Sequence, residues 1–288
     1  MTHKIKPHKL RFSIVIPAYN EADYIAATLK SLKKLTYDGS YEVIVVDNNS
    51  TDNTATIAAK HGAIVVTEKR PGVCFARQSG TQAAKGEIIV STDADTTYDP
   101  EWLTHIDDEF NKYPDTAAVA GPCRYMGGPV WGRAYARLLF GLVAAVYVIV
   151  GRTFYVSATN IAFRKNLFDG YDTNLPQGGD ELDLIRRLKK KGPVRFNNNN
   201  PTFTSSRRLE RGFVYNFIVS WLIFYILEYN LNRLFGRPIL GASPSFRTSV
   251  SHRKYNLIRL VVVCLIAVML LIDRHRILHM ISNAVNLQ

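Results

Sequence analysis

From Arg11 to Val119 short β-branched apolar runs alternate with helical stretches, and this rhythm restricts the possible folds more than any other feature of the chain. Phe12-Ser13-Ile14-Val15-Ile16, closed by Pro17, reads as a buried strand. A helix is expected over residues 21–35, with acidic residues in its first turn and lysines in its last, where the helix dipole favours them. Tyr41 to Val46 gives a second strand, followed by a polar turn and a helix over residues 53–61, for which Thr51 or Asp52 can serve as the cap. Residues 63–66 give a third strand, residues 74–85 a helix stopped by Gly86, and residues 87–91 a fourth strand. A helix over 101–113 and a strand over 117–120 complete the series. Such alternation predicts an α/β fold with a mostly parallel sheet, covered by helices on both faces. In sheets of that kind ligands gather outside the carboxyl ends of the strands. Three polar clusters fall there: Tyr19-Asn20-Glu21, Asp47-Asn48-Asn49 and Asp93-Ala94-Asp95.

Beyond Gly121 the rhythm changes. Residues 138–151 are apolar and uncharged between Arg137 and Arg152, which suits either a buried core helix or one lying in a membrane interface. Val156 to Phe163 resembles a strand, Asp180 to Lys191 an amphipathic helix, and Thr202 to Thr204 a strand. Residues 212–227 and 260–272 are uncharged too, yet each is shorter than the ~18–20 residues that cross a bilayer comfortably. Aromatic and basic flanks can lengthen their effective span, so membrane contact by the tail is expected.

The net charge of +12 calls for an anionic partner. From Pro201 onward there are 11 Lys and Arg against 3 Asp and Glu, beside two apolar stretches. That pairing suits a membrane face rather than a nucleic-acid groove, and no nucleic-acid-binding motif accompanies it. Cys74, Cys123 and Cys264 form neither a zinc spacing nor a disulfide framework, and residues 1–11 lack the apolar core of a signal peptide. A membrane-associated protein with its catalytic part in the cytoplasm is therefore expected.

Asp93-x-Asp95 sets two carboxylates in a loop at a strand end. A hard divalent cation such as Mg²⁺ or Mn²⁺ takes a few oxygen ligands and fills its remaining positions with phosphate and water. The plain alternative is an acidic turn that caps the next helix. Asp47, at the end of the second strand, can accept hydrogen bonds from a base, and Tyr19 and Glu21 border the same crevice.

Val15-Ile16-Pro17-Ala18-Tyr19-Asn20-Glu21, Val45-Val46-Asp47-Asn48-Asn49-Ser50-Thr51-Asp52-Asn53-Thr54, Ala76-Arg77-Gln78-Ser79-Gly80 and Ser91-Thr92-Asp93-Ala94-Asp95 resemble, in order, the motifs of family 2 glycosyltransferases. Ser157-Ala158-Thr159-Asn160-Ile161-Ala162-Phe163 resembles the family's acceptor-side strand, and the resemblance covers about residues 11–210. It implies the GT-A (Rossmann-like) fold, with a catalytic domain over 1–210 divided near residue 121 into nucleotide-binding and acceptor halves. Residues 211–288 would be the membrane-associated helical tail. By the same resemblance Pro17, Tyr19, Glu21 and Asp47 hold the nucleobase and ribose, and Arg77 approaches the diphosphate or braces its loop. Gln78 stands where the family commonly has Asn. Asp93 would contact ribose or a metal-bound water, and Asp95 would ligate the metal.

Gly178-Gly179-Asp180-Glu181-Leu182-Asp183-Leu184 resembles the family's G-E-D-x-D-L segment, which supplies the catalytic base. Aligned on Asp183-Leu184 the base is Glu181; aligned on the glycine it is Asp180. Arg207 and Arg208, after the strand at 202–204, could neutralise a diphosphate or an anionic acceptor, or face lipid headgroups. The Q-x-x-R-W pattern of processive polysaccharide synthases is missing. These implications converge on an inverting, metal-dependent transfer of sugar from a nucleotide-diphosphate donor to an acceptor hydroxyl, and a membrane-seated tail suits a lipid-linked acceptor. Two other classes share parts of the pattern. A nucleotidyltransferase would carry a Gly-rich loop with Arg and Lys after the first strand, which Tyr19-Asn20-Glu21 is not. A non-catalytic sugar-nucleotide-binding membrane protein would tolerate the altered base segment.

Overall fold

The structure is a computed structural model that describes residues 10–173 and 180–216, all within one compact unit, Met1–Ser243. The tail expected from residue 211 lies outside the described residues from 217 onward.

The chain runs β1 (Phe12–Ala18), α1 (Ile25–Leu32), β2 (Tyr41–Asp47), α2 (Thr54–Lys60), β3 (Ile64–Thr67), α3 (Val73–Ala83), β4 (Ile88–Ser91) and β5 (Thr96–Tyr98). It continues through α4 (Trp102–Lys112), β6 (Ala118–Ala120), β7 (Cys123–Met126), α5 (Val130–Val150), β8 (Ile161–Arg164), α6 (Asp180–Leu188), β9 (Val194–Phe196) and β10 (Thr202–Ser205). The main sheet has the order β3-β2-β1-β4-β8-β6-β9, and β5-β10-β7 form a small second sheet. β1, β2, β3 and β4 are mutually parallel, whereas β8 runs antiparallel between β4 and β6. The mostly parallel α/β sheet expected from the sequence is present.

Strand period sorts the apolar residues onto two faces. Ile14, Ile16, Val45, Ile88 and Val90 pack with Ile25, Leu29, Ala58, Trp102 and Phe110 of α1, α2 and α4. Val15, Ile44, Val46 and Ile89 turn to the other face and join Ala76, Phe140, Val143, Leu184 and Leu188 of α3, α5 and α6. Continuous β-branched runs are what a sheet buried on both faces requires. α3 lies close to the sheet because of Gly80, where an added Cβ would sit 2.4 Å from Val15 Cγ1 and 2.8 Å from Val46 Cγ2.

Several boundaries differ from the sequence reading. α1 begins at Ile25, so Glu21 lies ahead of the helix in a turn, where its carbonyl accepts the Tyr24 and Ile25 amides. Val156–Asn160 is not strand: Asn160 N–H bonds Ser157 O in a turn, and β8 starts at Ile161. The apolar segment 138–151 belongs to a longer helix, α5, whose start at Val130 takes in Arg133 and Arg137 and whose end is Gly151 at φ 68°. Left-handed backbone there suits glycine.

Candidate functional site

The carboxyl ends of β1, β2 and β4 lie side by side, because β1 pairs with both neighbours and Ala18 stands opposite Asp47. Each end is held by a polar staple. Thr51 N–H bonds Asn20 Oδ1 at 2.8 Å, Asn20 N–H bonds Ser50 Oγ at 3.0 Å, and Glu21 N–H bonds Thr54 Oγ1 at 2.8 Å. Asn20 and Asn49 stand at positive φ, 51° and 64°, a region that Asn tolerates better than most residues, and Asn49 also donates to Lys69 O at 2.9 Å. The N-cap of α2 is Asn53, with no side-chain cap bond, rather than the expected Thr51 or Asp52; Asp52 instead accepts the Thr54 amide at 3.0 Å and, across the crevice rim, the Ala22 amide at 3.1 Å. Asp47 accepts the Ser50 amide at 3.3 Å. Tyr19 is exposed beside it, and Pro17 is half-buried within β1.

A charged network crosses the site. Arg207, just past β10, grips Glu21 through two bonds of 2.8 and 2.6 Å and reaches Asp95 Oδ2 at 2.9 Å. Its guanidinium also lies 4.5 Å from the centre of the Tyr24 ring. Thr204 Oγ1 donates to Asp95 Oδ1 at 3.2 Å. On the other side buried Arg77 of α3 donates to Asp93 Oδ1 at 2.9 Å and to the Ser91 hydroxyl. Arg207 thus joins Glu21 to Asp95, while Arg77 holds Asp93, whose charge is felt at Asp95. Burial raises the Asp95 carboxyl above the ordinary carboxylate range and the charge of Asp93 adds to it, against the pull of Arg207, Arg208 and Thr204. Arg208 is exposed, yet its charge acts on Asp95 and on Cys123, a thiol that burial pushes up to about 12.

The donor set suits a divalent cation in a limited way. Asp93 commits Oδ1 to Arg77, while Asp95 commits its oxygens to Arg207 and Thr204. Among the described residues no cluster of three or more His, Cys, Asp and Glu side chains is assembled. A cation that takes one or two carboxylates and completes its shell with phosphate oxygens and water fits this pair, on condition that Arg207 gives up Asp95.

Of the two candidates for the base, Asp180 opens α6 and its side chain lies outside the described part of the structure. Glu181 is half-buried, and burial, with the charge of Glu181 added, raises the Tyr155 hydroxyl well above its ordinary range. Asp183 is committed elsewhere, to Arg186 at 2.6 Å and Arg187 at 2.7 Å. Gln78 Oε1 accepts the Tyr171 amide at 2.8 Å, which ties α3 to the segment that leads toward α6. A shorter Asn would not carry the amide as far, which gives the departure from the family residue a structural consequence.

Sequence reasoning missed several supporting residues. Tyr24 under Arg207 and Thr204 beside Asp95 had no local signal. Asn160 spends its amide on Pro122 O, Asn200 O and the Trp102 indole at 2.8–3.0 Å, so it fastens β8 to the neighbouring loops. Asn48 bonds Glu68 O, Arg70 O and the Gly72 amide, joining the end of β2 to the turn before α3. Glu68 closes that turn on Arg70, at 2.7–2.9 Å, and on the Ser79 hydroxyl. The bonds from Arg70 and then Ser79 hold the Glu68 carboxyl down at about 2, against an ordinary 4.5. A carboxylate with a depressed native pKa stabilises the fold above its unfolded pKa and loses that contribution as pH falls through the native value. Glu68→Gln should therefore lower the thermal midpoint at pH 7, with the gap to wild type narrowing from pH 4.5 down to about 2. A gap that stays constant over this window in a pH series of melts would show that the ionised form contributes nothing.

Residues 13–172, more than half of the chain, match the sequence profile of glycosyl transferase family 2. An uncharacterised glycosyltransferase of Mycobacterium bovis is 40% identical over 119 residues, 41% of this chain and 51% of that protein, so this chain spans about half the length of that relative. A dolichyl-phosphate hexose transferase of Haloferax volcanii is 30% identical over 175 residues, 60% of this chain and 75% of that protein. The mannosyltransferase PcManGT of Pyrobaculum calidifontis, solved with GDP-Man and Mn²⁺, shares the fold at a TM-score of 0.59 and 19% identity, over 83% of this chain and 70% of that one. The profile match, which takes in the strand-end motifs and β8, makes this chain a member of glycosyl transferase family 2.

Proposed function

We propose that this chain transfers a sugar from a nucleoside-diphosphate donor to the hydroxyl of a lipid-linked acceptor, with inversion at the anomeric carbon. The observation that carries the reading is the gathering of carboxylates at the strand ends, with Glu21 and Asp95 joined by Arg207 and Asp93 held by Arg77. In the proposal Pro17, Tyr19, Glu21 and Asp47 receive the base and ribose, and residues 1–210 form the catalytic domain. Arg77 braces the Asp93 loop rather than touching phosphate, since its two terminal nitrogens already serve Ser91 and Asp93. Asp95 and Asp93 would hold Mg²⁺ or Mn²⁺, which when bound supplies Lewis-acid stabilisation of charge on the leaving diphosphate. Arg207 and Arg208 add positive charge on the same side.

Glu181 or Asp180 takes the proton from the acceptor hydroxyl as its oxygen attacks the anomeric carbon. The bond from that carbon to the diphosphate oxygen breaks, and nucleoside diphosphate leaves with the electron pair. One displacement inverts the centre. The reading of the acceptor draws on the relative named for dolichyl phosphate and on the apolar stretches from residue 212 onward. It goes with a membrane-associated protein whose catalytic domain faces the cytoplasm.

The test is release of nucleoside diphosphate from a panel of sugar nucleotides with Mn²⁺ or Mg²⁺. Turnover of one donor is expected, falling by about 100-fold or more in Glu181→Gln or Asp180→Asn, the order associated with general-base catalysis. Donor binding without turnover, unchanged in both variants, would favour a non-catalytic sugar-nucleotide-binding protein.

A further inference from the structure

α5 breaks the usual rule for a surface helix. Its buried seam is narrow: Gly132, Ala136, Phe140 and Val143 face the core. From Leu138 onward it leaves Leu138, Leu142, Val148, Ile149 and Val150 each 57–82% exposed, with Leu138, Leu142 and Ile149 on the side opposite the seam, and between Arg137 and Arg152 there is no charged residue. A helix at the surface of a soluble domain normally turns polar residues outward. An uncharged exposed stripe of this kind marks a surface that something covers.

The charges around the stripe indicate what covers it. Arg137 is exposed immediately before it, Arg133 is exposed about one and a half turns earlier, and Arg152 is exposed just after it. Between Asp115 and Asp169 the chain has no acidic residue, while Arg124, Arg133, Arg137, Arg152, Arg164 and Lys165 fall in that interval. Phe154 is 42% exposed beyond the C-terminal end. At the N-terminal end Trp131 packs edge-on against Phe213, 5.5 Å between ring centres, and Phe213 is itself 49% exposed. Apolar residues outward, aromatics at both ends and arginines beside them are the pattern of a helix lying in a lipid interface.

By length and composition α5 could also cross a bilayer. Its packing argues otherwise. Phe140 and Val143 are part of the core beneath the sheet, and an added Cβ at Gly132 would sit 2.2 Å from Leu209 Cδ1. A helix fastened to the domain along that seam lies flat, and the uncharged part, residues 138–150, is about 20 Å long at ~1.5 Å per residue, short of the ~30 Å hydrocarbon core.

We infer that the outer face of α5, centred on Leu138, Leu142 and Ile149, seats the catalytic domain in the interface of an anionic membrane, with Arg133, Arg137 and Arg152 on the lipid headgroups. This deepens, and rests on, the reading of a transferase acting on a lipid-linked acceptor, because it holds the domain at the plane where such an acceptor is presented.

The full chain is to be mixed with vesicles of phosphatidylcholine containing about one-third phosphatidylglycerol, a mixture anionic enough to attract basic flanks. Binding should fall by about tenfold or more in the Leu138→Glu, Leu142→Glu, Ile149→Glu triple variant, with an unchanged circular dichroism spectrum and melting midpoint. Arg133→Glu with Arg137→Glu should remove the preference for the anionic lipid. Because residues beyond 216 could bind vesicles by themselves, Leu142→Trp gives a direct reading: its fluorescence should show quenching by brominated acyl chains in excess of wild type. Vesicle-bound Leu142→Trp without excess quenching would overturn the inference. So would a wild type that self-associates through this face, with the triple variant monomeric and vesicle binding equal in both. Donor turnover measured without vesicles should be the same in wild type and the triple variant. Turnover with no seating of α5 defeats this inference alone, whereas seating with no turnover defeats only the transferase reading.

Discussion

Asp95→Asn is expected to lower nucleoside diphosphate release by about 100-fold or more, the order lost when one preorganised electrostatic partner is removed at developing charge, while the melting midpoint stays near that of wild type. The stability half of the expectation follows from the local contacts. An amide oxygen at this position still accepts from Thr204, and Arg207 gives up its bond to residue 95 but keeps its two bonds to Glu21. The carboxyl at Asp95 is also raised above its ordinary range by burial and by Asp93, so its ionised form costs stability at neutral pH and neutralising it relieves that cost. The activity half follows from charge, since an amide is a poor ligand for a hard cation compared with a carboxylate. Full turnover in the variant would remove Asp95 from the chemistry. A large drop in the melting midpoint alongside lost turnover would instead make Asp95 a structural residue.

Arg207→Ala should in addition cost about 3 kcal/mol or more of unfolding free energy, the scale for breaking a buried ion pair from one side. Glu21 is only 3% exposed, and the variant removes its bidentate partner and the cation beside Asp95. Arg207→Lys should recover a minority of the loss, because an ammonium cannot reproduce two parallel bonds to one carboxylate. Combining Arg207→Met with Glu21→Gln should recover more, since no unpaired carboxylate is then left in the interior. Denaturant melts of the three variants check the order. Equal stability of Arg207→Ala and wild type would show that the pairing with Glu21 does not persist in solution. Donor affinity should fall in all three, because the proposal uses the same guanidinium at the diphosphate.

The contrast between these residues shows what a sequence can disclose. β1, β2 and β4 were legible because a strand buried on both faces must be apolar at every position, and such runs stand out. Glu21, Asp47, Asp93 and Asp95 were legible because each closes such a run or follows it by a few residues. β5 and β7 were not: Thr96-Thr97-Tyr98 and Cys123-Arg124-Tyr125-Met126 are short edges of a small sheet, without an apolar run. The start of α5 was missed because Arg133 and Arg137 look like an end to an apolar segment, although both are exposed helical residues. The link from Arg207 to Glu21 spans 186 residues of sequence, so no local pattern could show it. What the strand-end motifs could not show was the set of staples that hold the crevice open, Asn48, Asn20, Asp52 and Gln78, since each works through backbone groups that any residue would provide.

Equilibrium binding of a nucleoside diphosphate with Mn²⁺, measured by calorimetry on the wild type and on Glu21→Gln, Asp47→Asn and Asp95→Asn, tests the shared crevice most directly. One cleft lined by all three predicts that each substitution weakens binding about tenfold or more, the worth of a charge-assisted hydrogen bond. The same dissociation constant in wild type and all three folded variants would contradict it.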